Sequence, residues 1–282
     1  MDSSWQIHWQ GVSMIIDPWL TGSEIDGFSW LNEQWHITEP LPMADIGRCD
    51  LIVVSQPYTD HCHAATLDAL KPIGAMMAVR PAKKRIERET GNKNITEIPD
   101  AADGWAPNGE LLIAKISPDK WIDPIYHALV IRCGQEAIFY APHGFLLSEA
   151  QMKILQPLRV RLLITTFSYF RIPAIMGGLV NPGVDAAKKL AEQINAEKMI
   201  NTHDEQKKGR GLVTRLAKSV YADMNAESQR DDRVVAIENY DYLIFKIAKP
   251  PRFHQTALYF FRLPDFMTCL LCVFSYIFTK RF

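Results

Sequence analysis

Residues 51–63 read LIVVSQPYTDHCH and join a short apolar run to a cluster of metal-binding side-chain types. Four consecutive apolar residues are typical of a strand that is covered on both faces. Layered α/β folds usually place their functional sites in the loops that follow such strands. A carboxylate and two imidazoles, from Asp60, His61 and His63, suit one metal ion, and Zn²⁺ prefers such ligands. In the alternative interpretation, Asp60 caps a helix predicted from His63 to Leu70, and the histidines are exposed.

The chain on either side of this stretch alternates between strand-like and helix-like segments. Trp5, Ile7 and Trp9 alternate with polar residues, and the run Val12–Ile16 follows directly, which predicts two antiparallel strands. Further apolar runs and amphipathic stretches follow in turn as far as Ile247. This order favours a layered α/β architecture over a helical bundle or an all-β barrel.

Three segments have less distinctive patterns. Residues 21–47 lack periodicity and are predicted to form a long loop, and apolar spacing over residues 212–220 predicts one helix. Residues 207–210 read KKGR, which predicts a solvated loop, with attraction of a phosphate or an acidic substrate as the alternative.

The composition is that of an ordinary globular protein. The chain has 282 residues, of which 48% are hydrophobic and 22% charged, and 31 Lys and Arg balance 32 Asp and Glu. A net charge of −1 gives no sign of nucleic-acid binding, which normally needs an excess of basic residues. The five cysteines have no framework spacing, so we expect reduced thiols and an intracellular compartment.

The last part of the chain differs in kind from the rest. Residues 250–251 are both proline, and Phe266–Phe278 is almost wholly apolar. As a helix, thirteen residues span roughly 20 Å, which is short of the roughly 30 Å core of a bilayer. We therefore expect one domain over residues 1–249 and a hydrophobic tail over residues 250–282. The tail is predicted to stay outside the domain core as a docked or disordered appendage, with membrane association as the alternative.

Several motifs, taken in their order along the chain, resemble the metallo-β-lactamase fold superfamily. Residues 15–20 read IIDPWL, residues 55–61 SQPYTDH, residues 138–144 IFYAPHG and residues 198–203 KMINTH. The chain looks like the lactonase-like and phospholipase-like branch, and it is similar to uncharacterised plant and cyanobacterial members with a degenerate metal motif. The resemblance covers about residues 3–247. It implies an α/β fold of the αββα type, in which two mixed β-sheets are flanked by helices.

The resemblance also implies which side chains meet at a metal site. The superfamily loop reads His-x-His-x-Asp-His, and here Gln56 and Tyr58 stand in place of the two leading histidines, while Asp60 and His61 are retained. The family's middle histidine falls near residues 116–119, where only Asp119 could serve. In the family, the aspartate of the first motif, here Asp17, supports the site from behind, although a turn cap is the simpler interpretation of Asp17.

Two further residues complete the implied set. His143 occupies the position of the family's metal-bridging aspartate, and His203 that of its last metal histidine. Because Gln and neutral Tyr are poor Zn²⁺ ligands, the usual two-zinc site is not expected. The prediction is one zinc ion, or none, held by Asp60, His61, His143 and His203, with Asp60 also as the catalytic base. We further expect Gln56 and Tyr58 to face the same cavity.

Two functions remain open at this point. The first is a hydrolase with a degenerate metal site that attacks a small-molecule ester, lactone or phosphodiester with metal-activated water. The second is a catalytically inactive binding or scaffold protein of the same fold, with the tail as its contact to a membrane. The sequence indicates neither the substrate nor the oligomeric state.

Overall fold

The computed structural model describes residues 2–70, 74–118 and 126–237, together with two strands near the end of the chain. Its described residues form two large sheets and two small ones. The first large sheet has the strand order β18-β19-β1-β2-β5-β6-β7. Its strands are β1 (Trp5–Trp9), β2 (Val12–Ile16), β5 (Leu51–Val54), β6 (Ala75–Ala78), β7 (Ile95–Glu97), β18 (Tyr242–Ile247) and β19 (Ser275–Arg281).

The second large sheet has the order β15-β12-β11-β10-β9-β8. Its strands are β8 (Ala106–Asn108), β9 (Leu111–Ile116), β10 (Ala128–Cys133), β11 (Glu136–Ala141), β12 (Arg159–Thr165) and β15 (Lys198–Asn201). Both large sheets contain parallel and antiparallel neighbours, so both are mixed, as expected. Gly134 has a positive φ of 58° in the tight turn between β10 and β11, where a residue with a Cβ atom would be strained.

The two small sheets have three strands each. The first has the order β16-β4-β3 and is built from β3 (Ser23–Ile25), β4 (Glu33–His36) and β16 (Lys207–Arg210). The second has the order β14-β13-β17 and is built from β13 (Tyr169–Arg171), β14 (Leu179–Pro182) and β17 (Lys218–Val220).

Five of the six helices in the described residues pack against the large sheets, and the short helix over residues 212–216 packs against β16 instead. The six helices are α1 (Ala64–Leu70), α2 (Arg80–Thr90), α3 (Glu149–Leu155), α4 (Val184–Gln193), α5 (Leu212–Leu216) and α6 (Met224–Arg230). Their ends follow local rules: α2 carries a proline in its first turn and ends at Gly91 with φ 68°, while Ser148 and Gln151 form a capping box at α3.

Alternation along the strands separates two hydrophobic clusters. On β11, Ile138 and Tyr140 belong to the cluster that joins the two large sheets and extends to α1 and α2. The intervening Phe139 belongs to a second cluster, which packs α3 and α4 against the other face of the second sheet. Because successive residues of a strand point to opposite faces, one strand serves both clusters. The layers are therefore helix, sheet, sheet and helix, which confirms the predicted αββα sandwich.

Three local expectations were wrong. Residues 21–47 contain β3 and β4 rather than one long loop, because their pairing with β16 forms a small sheet. The helix expected over residues 212–220 stops at Leu216, since residues 218–220 pair with β13 instead. Residues 207–210 form strand β16 rather than a solvated loop.

The end of the chain also differs from the expectation. Strand β19 pairs with both β1 and β18, so residues 275–281 belong to the first large sheet rather than standing apart from it. A free edge of β1 explains this, because β19 satisfies its backbone groups. Residues 248–274, which hold most of the predicted tail, lie outside the described residues, and the proposed boundary at residue 249 stays a prediction. None of the helices in the described part of the chain has the length and apolar character needed to cross a membrane.

Candidate metal centre

His61 lies at the end of β5 and is held from behind by the neighbouring strand. Strands β2 and β5 are parallel, so their carboxyl ends meet at one edge of the sheet. Asp17 follows β2, and its Oδ2 lies 2.8 Å from His61 Nδ1. Asp17 also accepts hydrogen bonds from the backbone N–H and hydroxyl of Ser55 and from the hydroxyl of Tyr140. This buried aspartate therefore fixes the His61 ring, which is the supporting position that the family resemblance implies.

His143 follows β11 and is oriented by the small sheet of β13, β14 and β17. Its Nδ1 lies 3.0 Å from Oδ1 of Asn181, and Asn181 Nδ2 donates to Ser168 Oγ at 3.0 Å, which fixes which way the amide faces. Gly144 follows with φ 76°, and a Cβ atom there would meet Pro182 at 2.9 Å. A glycine at this position lets the chain turn away immediately after the histidine.

His203 follows β15 in a left-handed conformation, with φ 56°. Its Nδ1 lies 2.9 Å from Oδ1 of Asp2, a fully buried residue whose φ of 29° is also positive. Asp17 shares this feature, with φ 46°. Non-glycine residues adopt positive φ rarely and at a cost, and such residues cluster at functional sites. Here three of them surround one cluster of side chains.

The four predicted site residues converge. His61 Nε2 lies 3.0 Å from His143 Nε2, and the ligand nitrogens of His61, His143 and His203 all lie within 4.8 Å of one another. Asp60 completes the group, with Oδ1 3.8 Å from His61 Nε2 and Oδ2 3.5 Å from His203 Nε2. The sequence motifs thus locate one constellation, although they are spread over more than 140 residues of chain.

Hydrogen bonding decides which ring nitrogens face each other. The Nδ1 atoms of the three histidines face oxygen acceptors of Asp17, Asn181 and Asp2, so each Nδ1 carries the proton. The three Nε2 atoms therefore face one another. Lone pairs at 3.0 Å repel one another unless a proton or a cation lies between them. The donor set of three imidazoles and one carboxylate fits a transition-metal ion such as Zn²⁺.

The local charges also favour a cation. Burial lowers the pKa of His61, but the carboxylates of Asp60 and Asp17 outweigh it and raise that pKa to about 9. Burial lowers the pKa of His143 well below its usual value, and the positive charges of His203 and His61 add to the effect. The field at His61 attracts positive charge, while His143 remains a neutral electron-pair donor. Both properties suit a metal site.

Lys207 is a member of the site that the sequence analysis missed. Its Nζ lies 2.8 Å from Asp2 Oδ2 and 3.8 Å from Asp60 Oδ2, and 5.3 Å from the ring centroid of Trp19. Burial opposes ionisation of Asp60, but His61, His203 and Lys207 outweigh it and lower the pKa of Asp60. The stretch KKGR has no apolar alternation that would indicate a strand, and only the pairing of β16 with β4 turns Lys207 inward and Lys208 outward.

We expect Lys207→Met to lower the free energy of unfolding by about 3 to 5 kcal/mol, because it leaves the buried Asp2 carboxylate without its cation. Urea denaturation followed by circular dichroism measures this loss. The matched control is Lys208→Met, one residue along the same strand and exposed, which should change stability by less than about 0.5 kcal/mol. Equal effects of the two substitutions would contradict this role of Lys207.

The two residues that replace the family's leading histidines have different surroundings. Tyr58 lines the cavity, as expected. Gln56 is fully buried, donates from Nε2 to the carbonyl of His127 at 2.9 Å, and is not among the described cavity-lining residues. The expectation that both face one cavity was wrong, because this hydrogen bond ties the Gln56 amide to the residue that precedes β10. Asp119 lies outside the described residues.

The cluster of candidate ligands forms one wall of a cavity of about 1220 Å³, lined in part by Asp60, His143 and His203. The other walls come from α2, from the two small sheets and from the loops beside them. The volume exceeds the range of about 300 to 1,000 Å³ that is usual for small-molecule sites. A ligand with a body larger than the metal site itself can therefore bind there.

With this geometry in hand, the family can be assigned. The sequence profile of the family described as "Beta-lactamase superfamily domain" matches residues 1–203. The chain belongs to the beta-lactamase superfamily. The match ends at His203, the last residue of the cluster, so it contains all four predicted ligands but not β16 and Lys207. No curated protein sequence matches the chain.

Solved structures share the fold of this superfamily member at low sequence identity. Igni18, a metallo hydrolase from the archaeon Ignicoccus hospitalis, aligns with a TM-score of 0.57 and 14% identity over 81% of this chain and 86% of its own. The isothiocyanate hydrolase from Delia radicum gut bacteria aligns with a TM-score of 0.53 and 17% identity over 72% and 82% of the two chains. CmlA, a diiron β-hydroxylase from Streptomyces venezuelae, aligns with a TM-score of 0.54 and 14% identity over 72% of this chain and 45% of its own.

Proposed function

We propose that the protein is a metal-dependent hydrolase with one ion, Zn²⁺, held by His61, His143, His203 and Asp60. The convergence of three Nε2 atoms, on rings that are each held by an acceptor at Nδ1, is the observation that supports this most strongly. The structures that share the fold include a metallo hydrolase and an isothiocyanate hydrolase, but also a diiron enzyme, so the choice of Zn²⁺ is part of the proposal.

The ion would polarise a substrate oxygen and lower the pKa of a coordinated water molecule to about 7. The protein's own residues do the rest. The carboxylate of Asp60 would accept the proton of the attacking water, and the nearby ammonium group of Lys207 favours the ionised form that this task needs. Asp17, Asn181 and Asp2 hold the three rings in place. The substrate is a small-molecule ester, lactone or phosphodiester, and the intracellular location stays a prediction.

We expect the zinc-loaded full chain to hydrolyse at least one of three chromogenic substrates: an aryl ester, a lactone and an aryl phosphodiester. Asp60→Asn should lower kcat by at least about 100-fold, which is the lower range for a general base. Asp26→Asn is the control, because Asp26 lines the same cavity outside the metal cluster. The kcat of Asp26→Asn should stay within a few-fold of the wild-type value.

A fully metal-loaded protein that turns over none of the three substrates would overturn the hydrolase proposal. It would support the alternative of a metal-containing binding or scaffold protein. Equal loss of activity in Asp60→Asn and Asp26→Asn would remove the specific role of Asp60.

A further inference from the structure

A loop of unusual composition stands at the mouth of the cavity. Residues 172–178 read IPAIMGG, and we name them the mouth loop. Ile172 and Met176 line the cavity, while Ile175 lies at the loop's tip and is 96% exposed. A single exposed apolar residue is ordinary on a protein surface, but neighbours of the same kind form a patch that needs explanation.

Such neighbours lie on a second segment that lines the cavity. Phe28 and Trp30 are 63% and 65% exposed, and their rings stack with centroids 5.9 Å apart. The next residue, Leu31, lines the cavity. Helix α5 packs beside this segment through a hydrogen bond from the Leu212 N–H to the Trp30 carbonyl at 3.1 Å, and Leu212 is also exposed.

The small sheet of β13, β14 and β17 connects these apolar groups with positive charge. Phe170 and Ser219 are paired across β13 and β17, and both line the cavity. The next pair, Arg171 and Lys218, points to the opposite face, because side chains alternate along a strand. Leu179 of β14 is the other cross-strand partner of Arg171 and is half-exposed.

The charge on this face is one-sided. Arg171 and Lys218 are both exposed and directly opposite each other, and neither has an ion-pair partner in the part of the chain that the structure describes. Like charges in opposed positions destabilise a sheet. Residues 206–222 contain five basic residues and no acidic one, and residues 169–182 contain one basic and no acidic residue. Two of the five, Lys207 and Arg210, are paired with acidic residues, so the unpaired positive charge of this face comes from Arg171 and Lys218.

We propose that this rim, formed by the mouth loop, Phe28, Trp30 and the outer face of β13, β14 and β17, docks on the surface of an anionic phospholipid membrane. Exposed apolar side chains enter the boundary between headgroups and acyl chains, and basic side chains bind the headgroups, as in other interfacial proteins. The proposal is independent of metal binding and of the residues beyond 247.

The test uses the full chain with two kinds of vesicle, one of phosphatidylcholine alone and one that also contains phosphatidylserine. Co-sedimentation should show binding only to the second kind. The double variant Arg171→Gln with Lys218→Gln should bind the anionic vesicles about 30-fold more weakly. Each basic residue contributes about 1 kcal/mol to binding, and about 1.4 kcal/mol corresponds to a tenfold change in affinity. Ile175→Ser should weaken it about tenfold through lost apolar contact.

The matched control removes the same charge elsewhere. Lys93→Gln with Lys189→Gln changes two exposed lysines that do not line the cavity, and it should leave vesicle binding unchanged. All variants keep the same C-terminal residues, so any binding through the tail is common to them. The proposal would be overturned if the double variant of Arg171 and Lys218 bound vesicles as well as the control double variant does. Equal binding of the wild type to both kinds of vesicle would also overturn it. Failure to sediment together with a dimeric mass in solution would overturn it in favour of an interface between two copies.

Discussion

Replacing Asp17 by alanine is expected to lower the free energy of unfolding by about 4 kcal/mol. Asp17 is fully buried and accepts hydrogen bonds from Ser55, His61 and Tyr140. Each buried donor left without a partner costs about 1 to 3 kcal/mol, and losses above about 4 kcal/mol are exceptional for one substitution. Chemical denaturation of the zinc-loaded and the metal-free chain measures this loss and separates it from the effect of bound metal.

The control for this prediction is Asp103→Ala, at an exposed turn position. It should change stability by less than about 0.5 kcal/mol. The loss of stability in Asp17→Asn should lie between those of Asp17→Ala and Asp103→Ala, because asparagine keeps the size of the side chain and tolerates positive φ. A loss below about 1 kcal/mol in Asp17→Ala would show that this buried network is not formed.

Removing the metal is expected to lower the free energy of unfolding by about as much as Asp17→Ala does. A ligand that binds only the folded state stabilises it by about 4.1 kcal/mol when its concentration is 1,000 times the dissociation constant. A strong chelator should therefore lower the melting temperature of the wild type by several degrees. Restored zinc should return it to its original value.

Two variants locate the source of this shift. The double variant His143→Ala with His203→Ala should melt at the same temperature with and without the chelator. His63→Ala is the control, since His63 belongs to the same histidine-rich loop but binds Thr66 Oγ1 at 2.9 Å and lies outside the cluster. It should retain the full response to the chelator. A chelator shift in the double variant equal to that of the wild type would place the metal elsewhere.

The sequence predicted the sandwich and the meeting of four distant side chains because both depend on strands. Apolar runs such as Leu51–Val54 identify the strands, and candidate ligands stand directly after three of them. Parallel strands carry their carboxyl ends to one edge, so His143 and His203 lie at the same edge of the second sheet. The packing of the two sheets then brings His61, which follows β5 of the first sheet, beside them. The family resemblance supplied the sheet order.

The residues behind the ligands could not be predicted in the same way. Asp2 is placed by a left-handed backbone conformation, and nothing in its local sequence indicates that it is buried under His203. Lys207 was assigned to a loop because the pairing that makes it a strand comes from residues 33–36, far away in the chain. The position of Gln56 could not be predicted either, since the carbonyl that accepts its hydrogen bond belongs to His127, 71 residues further along the chain.

Metal content tests the central claim most directly. The full chain is purified without added chelator, dialysed against zinc, freed of unbound ion and measured by elemental analysis together with protein concentration. The account predicts one ion per chain in the wild type and in His63→Ala, and far less than one in the variant that lacks His143 and His203. Wild-type protein without stoichiometric metal, or the same content in all three proteins, would contradict it.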